Sequence, residues 1–319
     1  MAAKAFSFQQ KASDEIFFQN DAVSLCLLIN RRARIMRVID FRAGPSSAKR
    51  QLVLSLALRE GVEKAYTLVE RDEVQTWIKL GFAKEGNVPG FYKRSDAFLL
   101  GCPVSSASTA PARSSPSAES PVESETRLVA AKPVGSAASM TAGQERMERT
   151  IASAKRGLKD VLEKMPQQAR IAVIDEPEAR KLAVAAVRAG RGLTAFEPFG
   201  RDVERTYFLV TVRGGFEFAA SAESQACFGN AFLELLVAPK TEGEKMATAG
   251  ALRALCERLL SEGVVSCFAL APSDDVGLAS AFLSNGFRRT GLLAEHMMVG
   301  GHRKDAILWS RKLANPTEE

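Results

Sequence analysis

The chain has 319 residues, 46% of them hydrophobic and 25% charged, with a net charge of +6; this is a globular composition, long enough for two domains. Five cysteines without a C-x-x-C pair and only two histidines argue against a disulfide framework and against a clustered Cys/His zinc site, and favour free thiols in a reducing cytoplasm. No stretch approaches the roughly 18 apolar residues of a membrane span, the N-terminus lacks the basic start and apolar core of a signal peptide, and the positive excess reads as a soluble surface rather than a nucleic-acid site.

In chain order, the segment INRRARIMRVIDF predicts a strand, a turn and a strand, with Arg31, Arg32, Arg34 and Arg37 spread over the turn and one strand face. The strand Ile35 to Phe41 leads through the loop Arg42 to Ala48 into a helix over Lys49 to Arg59, then a strand over Ala65 to Val69 and a helix over Thr76 to Leu80. From about Pro103 to Ala138 serine, alanine and proline dominate. Such a segment buries too little apolar surface to offset its ordering entropy, so a disordered linker is expected. The division is an N-terminal unit at 1–102, a linker at 103–140 and a C-terminal unit at 141–319.

Beyond the linker, Thr141 and Gln144 stand at capping-box spacing. Met147, Ile151, Ala154, Leu158, Val161 and Met165 follow as one apolar stripe, which suits either a helix docked on its own domain or a short coiled coil. A strand at Arg170 to Ile174 precedes a helix over Ala179 to Ala189, opened by Asp175 and Pro177. Strands are then expected at Thr194 to Phe199, Thr206 to Arg213, Phe216 to Ala222 and Phe232 to Val237, with Gly214-Gly215 as a hairpin turn. A helix over Ala247 to Ser261, a strand over Val264 to Ala271, a helix over Asp275 to Ser284 and a final strand pair complete a mixed α/β unit.

The two units share a signature. Gly81-Phe82 and Gly86 in LGFAKEGNVPGFYKRSDAFLLG match Gly286-Phe287 and Gly291 in NGFRRTGLLAEHMMVGGHRKDAILWSRK, and Asp96-Ala97-Phe98-Leu99 matches Asp305-Ala306-Ile307-Leu308. The elements before each Gly-Phe repeat too, which marks a structural duplication.

The succession strand, helix, strand, helix, Gly-Phe, strand pair resembles the core of the GNAT acyltransferase superfamily. The closer resemblance is to the two-part beta-lysine N-acetyltransferase family. It is carried by EGNVPGFYKRSDAFLL at Glu85 to Leu100, by Ala220-Ser221-Ala222-Glu223, and by Gly286-Phe287, Gly291, Gly301 and Trp309-Ser310-Arg311-Lys312. The resemblance implies two GNAT-like units in tandem, acetyl-CoA as cofactor, and acetyl transfer to the amine of a small amino acid. The partners expected are that amine and a protein partner or second copy, with no membrane and no nucleic acid.

Amine acetylation needs a base for the ammonium, donors for the thioester carbonyl and a cradle for the cofactor's phosphates. Glu234, inside the apolar run AFLELLVAP, is the candidate base; an antiparallel strand with one wet face would carry the same glutamate pointing to solvent. By resemblance, Leu236, Val237 and Ala238 lie where the strand splays and its backbone meets the pantetheine arm. The phosphate loop would run from Pro239 to Gly250, with Gly243, Lys245, Ala247, Thr248 and Ala249 against the cofactor. This loop departs from the superfamily's Arg/Gln-x-x-Gly-x-Gly/Ala pattern. Glu242 and Glu244 bring negative charge, and alanines stand for glycines. The usual tyrosine acid four residues before Gly-Phe is Phe282 here, and Trp77 in the first unit. The loop after Ile35 to Phe41 holds Pro45, which removes an amide donor, so the first unit is expected to be structural or substrate-shaping. Tyr92 is either a site residue or an edge aromatic, and His296 and His302 are expected on the surface. A non-catalytic GNAT-like binding module is the alternative to an enzyme.

Overall fold

The computed structural model describes residues 14–104 and 141–314, apart from 22, 32, 43, 45, 93, 94, 167, 194–203 and 213. The expected linker, but for its first two residues, and the strand expected at 194–199 lie outside the described residues.

The first half of the chain folds as β1 (Asp14–Gln19), β2 (Ser24–Asn30), β3 (Ile35–Asp40), α1 (Ser47–Arg59), β4 (Lys64–Val69), α2 (Val74–Lys79), β5 (Ala83–Val88) and β6 (Ala97–Pro103). The second opens with α3 (Ala142–Arg156) and α4 (Leu158–Lys164), then β7 (Ala169–Ile174), α5 (Glu176–Arg188), β8 (Glu204–Val212), β9 (Phe216–Gln225) and β10 (Asn230–Leu235). It closes with α6 (Glu242–Ser261), β11 (Ser266–Pro272), α7 (Val276–Ser284), β12 (Arg288–Val299) and β13 (His302–Lys312).

All the strands form one 13-stranded sheet in the order β1-β2-β3-β4-β6-β5-β12-β13-β11-β10-β9-β8-β7. Read inward from either side, the order β1-β2-β3-β4-β6-β5 of the first half is repeated by β8-β9-β10-β11-β13-β12 of the second, with β7 added at the edge. Each has one parallel pair, β3/β4 and β10/β11, in an otherwise antiparallel sheet. Parallel neighbours need a long crossover, and α1 and α6 supply it.

The repeated glycines are where the halves meet. β5 and β12 pair antiparallel at Gly86↔Gly291. A Cβ on Gly86 would lie 2.9 Å from the Cα of Gly291, and one on Gly291 only 2.6 Å from the Cα of Gly86. Only two glycines let the backbones approach so closely. Each glycine follows a one-residue bulge, and each faces the leucine of the second repeated motif, Gly86↔Leu99 and Gly291↔Leu308. The Gly-Phe pairs behave alike as well: Phe82 meets Trp77 edge-on at 4.8 Å, and Phe287 meets Phe282 edge-on at 5.1 Å.

Alternation decides what each strand buries. In β8, Phe208, Val210 and Val212 turn to α6, whose Leu252, Leu255 and Leu259 are fully buried; each such leucine contributes about 1.5–3 kcal/mol. On the other face, Ala179 and Ala183 of α5 pack on Tyr207 and Ala219. α3 and α4 are one apolar stripe interrupted at Gly157, and the stripe docks within the fold rather than forming a coiled coil, with Met147, Ile151 and Ala154 in the main core.

The halves also exchange loops. Phe91, between β5 and β6, is 3% exposed against Phe228 and Phe268 of the second half, and Asn230 Nδ2 donates to its carbonyl at 2.7 Å. Tyr92 packs edge-on against Phe228 in the same seam. In return, Arg303 of β13 pairs with Glu63 and donates to the carbonyls of Ala33 and Arg34. His302 is exposed, but His296, expected on the surface, is 5% exposed, with its ring edge-on to Tyr66 at 4.9 Å. Local sequence placed it on a strand pair; it is buried because that pair crosses onto the other half.

Burial, with Lys64 and Arg303 nearby, holds the His296 imidazole well below its ordinary value of 6.5. The folded form therefore keeps it neutral, while the unfolded chain binds a proton below pH 6.5. Its contribution to stability is complete above 6.5 and is lost as pH falls below it, by up to about 1.4 kcal/mol per pH unit. Urea unfolding at pH 7.5 and 5.5 checks this: the loss in the parent should exceed that in His296→Phe by about 1 kcal/mol. Equal losses would refute it.

Candidate active site

β10 and β11 stay paired from Asn230↔Ser266 to Leu233↔Ala269 and then part. β10 continues along β9 to Leu235↔Ala220, and β11 along β13 to Pro272↔Ala306. Glu234 is the first residue past the last shared pair. It is 4% exposed, which removes the solvent-facing alternative. Its carboxylate accepts from Ser221 Oγ at 3.2 Å and from Arg205 Nη1 at 3.3 Å, and Arg205 also grips Glu223, itself 3% exposed. Cross-strand register explains the set, because Glu234 faces Ser221 and Glu223 faces Arg205. Burial opposes the charge of Arg205, but Glu234 and Glu223 beside it hold the guanidinium protonated above the usual arginine value.

Sequence reasoning missed Arg205 and the pairing role of Ser221 and Glu223. The available signal was the short turn between Gln225 and Asn230, which fixes the β9–β10 register and sets the Ala-Ser-Ala-Glu segment opposite Glu234.

The end of β10 is already partnered. Leu236 N–H donates to Ala219 O at 2.9 Å, its carbonyl accepts from Leu193 N–H at 3.2 Å, and Ala238 N–H donates to Arg191 O at 2.7 Å. Gly192 and Val237 form an antiparallel bridge between them. The backbone expected to meet a pantetheine arm is thus paired, at Leu236 and Ala238, with this chain's own atoms.

The expected phosphate loop is largely helix. α6 begins at Glu242 rather than Ala247, because Thr241 caps Glu244 N–H and the Glu244 carboxylate turns back onto the loop, accepting from Lys240 N–H at 2.6 Å and Thr241 N–H at 3.2 Å. The Thr-x-x-Glu spacing of a capping box at Thr241–Glu244 sets this earlier start. Ala247, Thr248 and Ala249 consequently lie inside the helix, each at most 1% exposed. A helix leaves only its first four N–H groups free, so theirs are not offered to a phosphate. Gly243 sits in the first turn with the Phe216 ring 3.1 Å from where a Cβ would be, and Lys245 pairs with Glu242 at 2.5 Å. Arg191 Nη2 holds Glu244 at 2.9 Å. Partial burial raises the carboxyl, but the two loop amides and Arg191 outweigh it and keep Glu244 below the ordinary value.

The first half has the same parting of its parallel strands, after Val38↔Thr67. Its loop is closed from within. Lys49, 1% exposed, pairs with Asp40 and donates to the carbonyls of Arg42 at 2.8 Å and Gly44 at 3.0 Å. Carbonyls gathered on a buried ammonium are the reverse of an anion cradle. The positions of a tyrosine acid are core in both halves: Phe282 stacks on Trp309 at 5.4 Å, and Trp77 is 1% exposed. Among the described residues no group of three or more His, Cys, Asp or Glu is placed to hold a metal ion, and no helix is long and apolar enough to cross a membrane.

No family model and no curated protein matches the chain. Solved structures do match. Spermidine N-acetyltransferase from Vibrio cholerae, in complex with CoA and spermine, is 11% identical at a TM-score of 0.36, over 46% of this chain and 96% of that one. The ribosomal-protein-S18-alanine N-acetyltransferase from Escherichia coli is 18% identical at a TM-score of 0.34, over 47% and 97%. An acetyltransferase described as putative, from Sphaerobacter thermophilus, is 16% identical at a TM-score of 0.35, over 45% and 93%. Each of these is named as an acetyltransferase, and each matches under half of this chain. The two halves of this chain repeat one α/β arrangement within a single sheet.

Proposed function

We propose that this protein is an N-acetyltransferase acting on a small amine with acetyl-CoA as donor, and that the second half is its working unit. The observation that supports the reading is the parting of β10 and β11 immediately beside the buried carboxylate of Glu234. The slot is the entry for an acyl-bearing arm, and Glu234 is the group to take a proton from the incoming ammonium. Turnover should rise with pH as the amine itself deprotonates. Beta-lysine, which the sequence resemblance names, and polyamines are the acceptors to test first.

The phosphate end does not fit the donor as it stands. Glu244 occupies the start of α6, and the backbone of 191–193 occupies the end of β10. These filled positions, with Lys49 in the first half, favour a second reading, a non-catalytic GNAT-like module that binds or scaffolds a protein partner or a second copy.

Full-length protein incubated with acetyl-CoA and an amine panel, with acetylated product read by mass spectrometry, separates the two. Product formation supports the enzyme. Glu234→Gln is then expected to lower turnover at least about tenfold, with folding checked by circular dichroism because the same carboxylate pairs with the buried Arg205. Unchanged turnover at every pH would remove the base role, and no product with any amine would leave the binding module.

A further inference from the structure

We propose that the cleft between α4, α6, α7 and the end of β13 is a binding site for a small organic carboxylate with an apolar body, held at its head by Arg253 and Arg311. The inference stands apart from the acetyl-transfer reading and holds for an enzyme or a binding module alike.

The cleft has a volume of about 400 Å³, which is the size of a small-ligand pocket. Arg253 enters it from α6 and Arg311 from β13. Both are half-buried, and neither pairs with a carboxylate among the described residues. This sets them apart within the second half. Its other half-buried cations, Arg180, Arg191, Arg205, Lys245, Arg303 and Lys304, each have such a partner. Glu257 lines the cleft too. It stands one turn along α6 from Arg253, at a spacing that permits an ion pair, but it is exposed and pairs with neither arginine.

Local structure explains how the two cations are held. Arg253 Nη2 donates to Pro166 O at 2.7 Å, which ties the side chain toward the end of α4. Arg311 Nε lies 3.8 Å from where a Cβ on Gly286 would be. That is the C-terminus of α7, where the helix dipole favours a cation. Burial pushes the Cys256 thiol up to about 11 against the opposing pull of Arg311, so this neighbouring sulfur supplies no counter-charge. A carbonyl and a helix end offer only partial charges. Two guanidiniums in one cleft match a carboxylate, which accepts charge-assisted bonds from both.

The walls define the rest of the ligand. Leu162 of α4 is 47% exposed and Leu260 of α6 is 43% exposed, and both line the cleft with the buried Met165 and Cys256. Apolar walls beside two cations suit an anion that carries hydrocarbon, and they give a bare phosphate nothing to bury. The cleft is also separate from the Glu234 slot. The chain leaves β10 and enters α6 at Glu242, and Arg253 stands about 16 Å along that helix. α7 reaches the cleft with its last residue, Ser284.

The test is calorimetric titration of the full chain with hexanoate, hexanol and inorganic phosphate. Hexanoate should bind saturably at millimolar concentration. Hexanol and phosphate should each bind at least about tenfold more weakly, because one lacks the charge and the other the hydrocarbon. Arg253→Met and Arg311→Met keep an apolar stem and delete the charge, and each is expected to weaken hexanoate at least about tenfold. Glu257→Gln removes a nearby negative charge from an exposed position and should tighten hexanoate about two- to fivefold. Circular dichroism checks the fold of each variant. Should an arginine variant fail to fold, Glu257→Gln alone decides. Hexanol or phosphate binding as tightly as hexanoate would overturn the proposal. So would hexanoate binding unchanged in a folded arginine variant, no tightening in Glu257→Gln, or no saturable binding to the parent at millimolar concentration.

Discussion

Replacing Arg205 with alanine is expected to cost about 3–5 kcal/mol of folding stability, the range found when one partner of a buried ion pair is removed. Arg205 bridges Glu223 and Glu234, which are 3% and 4% exposed. Without it both buried carboxylates lose the cation paired with them, and burying charge that has lost its partner is costly. Adding Glu234→Gln to Arg205→Ala should recover part of the loss, since it removes one of the charges left behind. Urea unfolding of the single and double variants measures both quantities. A loss under about 1 kcal/mol for Arg205→Ala would show that solvent serves the cluster as it serves a surface pair, and Glu234 could not then be called a buried group.

A second large effect is expected at the seam. In Gly291→Ala the new methyl would lie 2.6 Å from the Cα of Gly86 and 2.7 Å from the carbonyl oxygen of Glu85. Both obstacles are backbone, so no side chain can swing away, and relief requires β5 and β12 to separate. The cost should reach the upper end of overpacking penalties, about 3 kcal/mol, and the halves should then unfold in two steps rather than one. Gly157→Ala is the control. It lies at the interruption between α3 and α4, where a Cβ would come no closer than 3.9 Å to another atom, and alanine suits helix better than glycine. Comparable loss in both variants would mean that the close approach is not what joins the halves.

The repeat was legible in the sequence because it is written in residues with a local physical role. Glycine after each helix stops it, a buried phenylalanine precedes each following strand, and the period of apolar residues tells helix from strand. The hairpin at Gly214-Gly215 and the caps at Asp175 and Thr141 follow from the same local chemistry. The cap at Thr241 is equally legible in its Thr-x-x-Glu spacing.

The sequence by itself determined two duplicated α/β units and a candidate carboxylate on a strand. Only the tertiary structure decided that the units share one sheet, that Gly86 and Gly291 touch, that Phe91 and His296 are buried in the other half, and that Glu244 closes the start of α6 and pairs with Arg191. The reason is that periodicity states which residues share a face but not what covers the face. Whether Glu234 meets water or Arg205, and whether a helix N-terminus is open or closed, depends on groups brought together from distant parts of the chain.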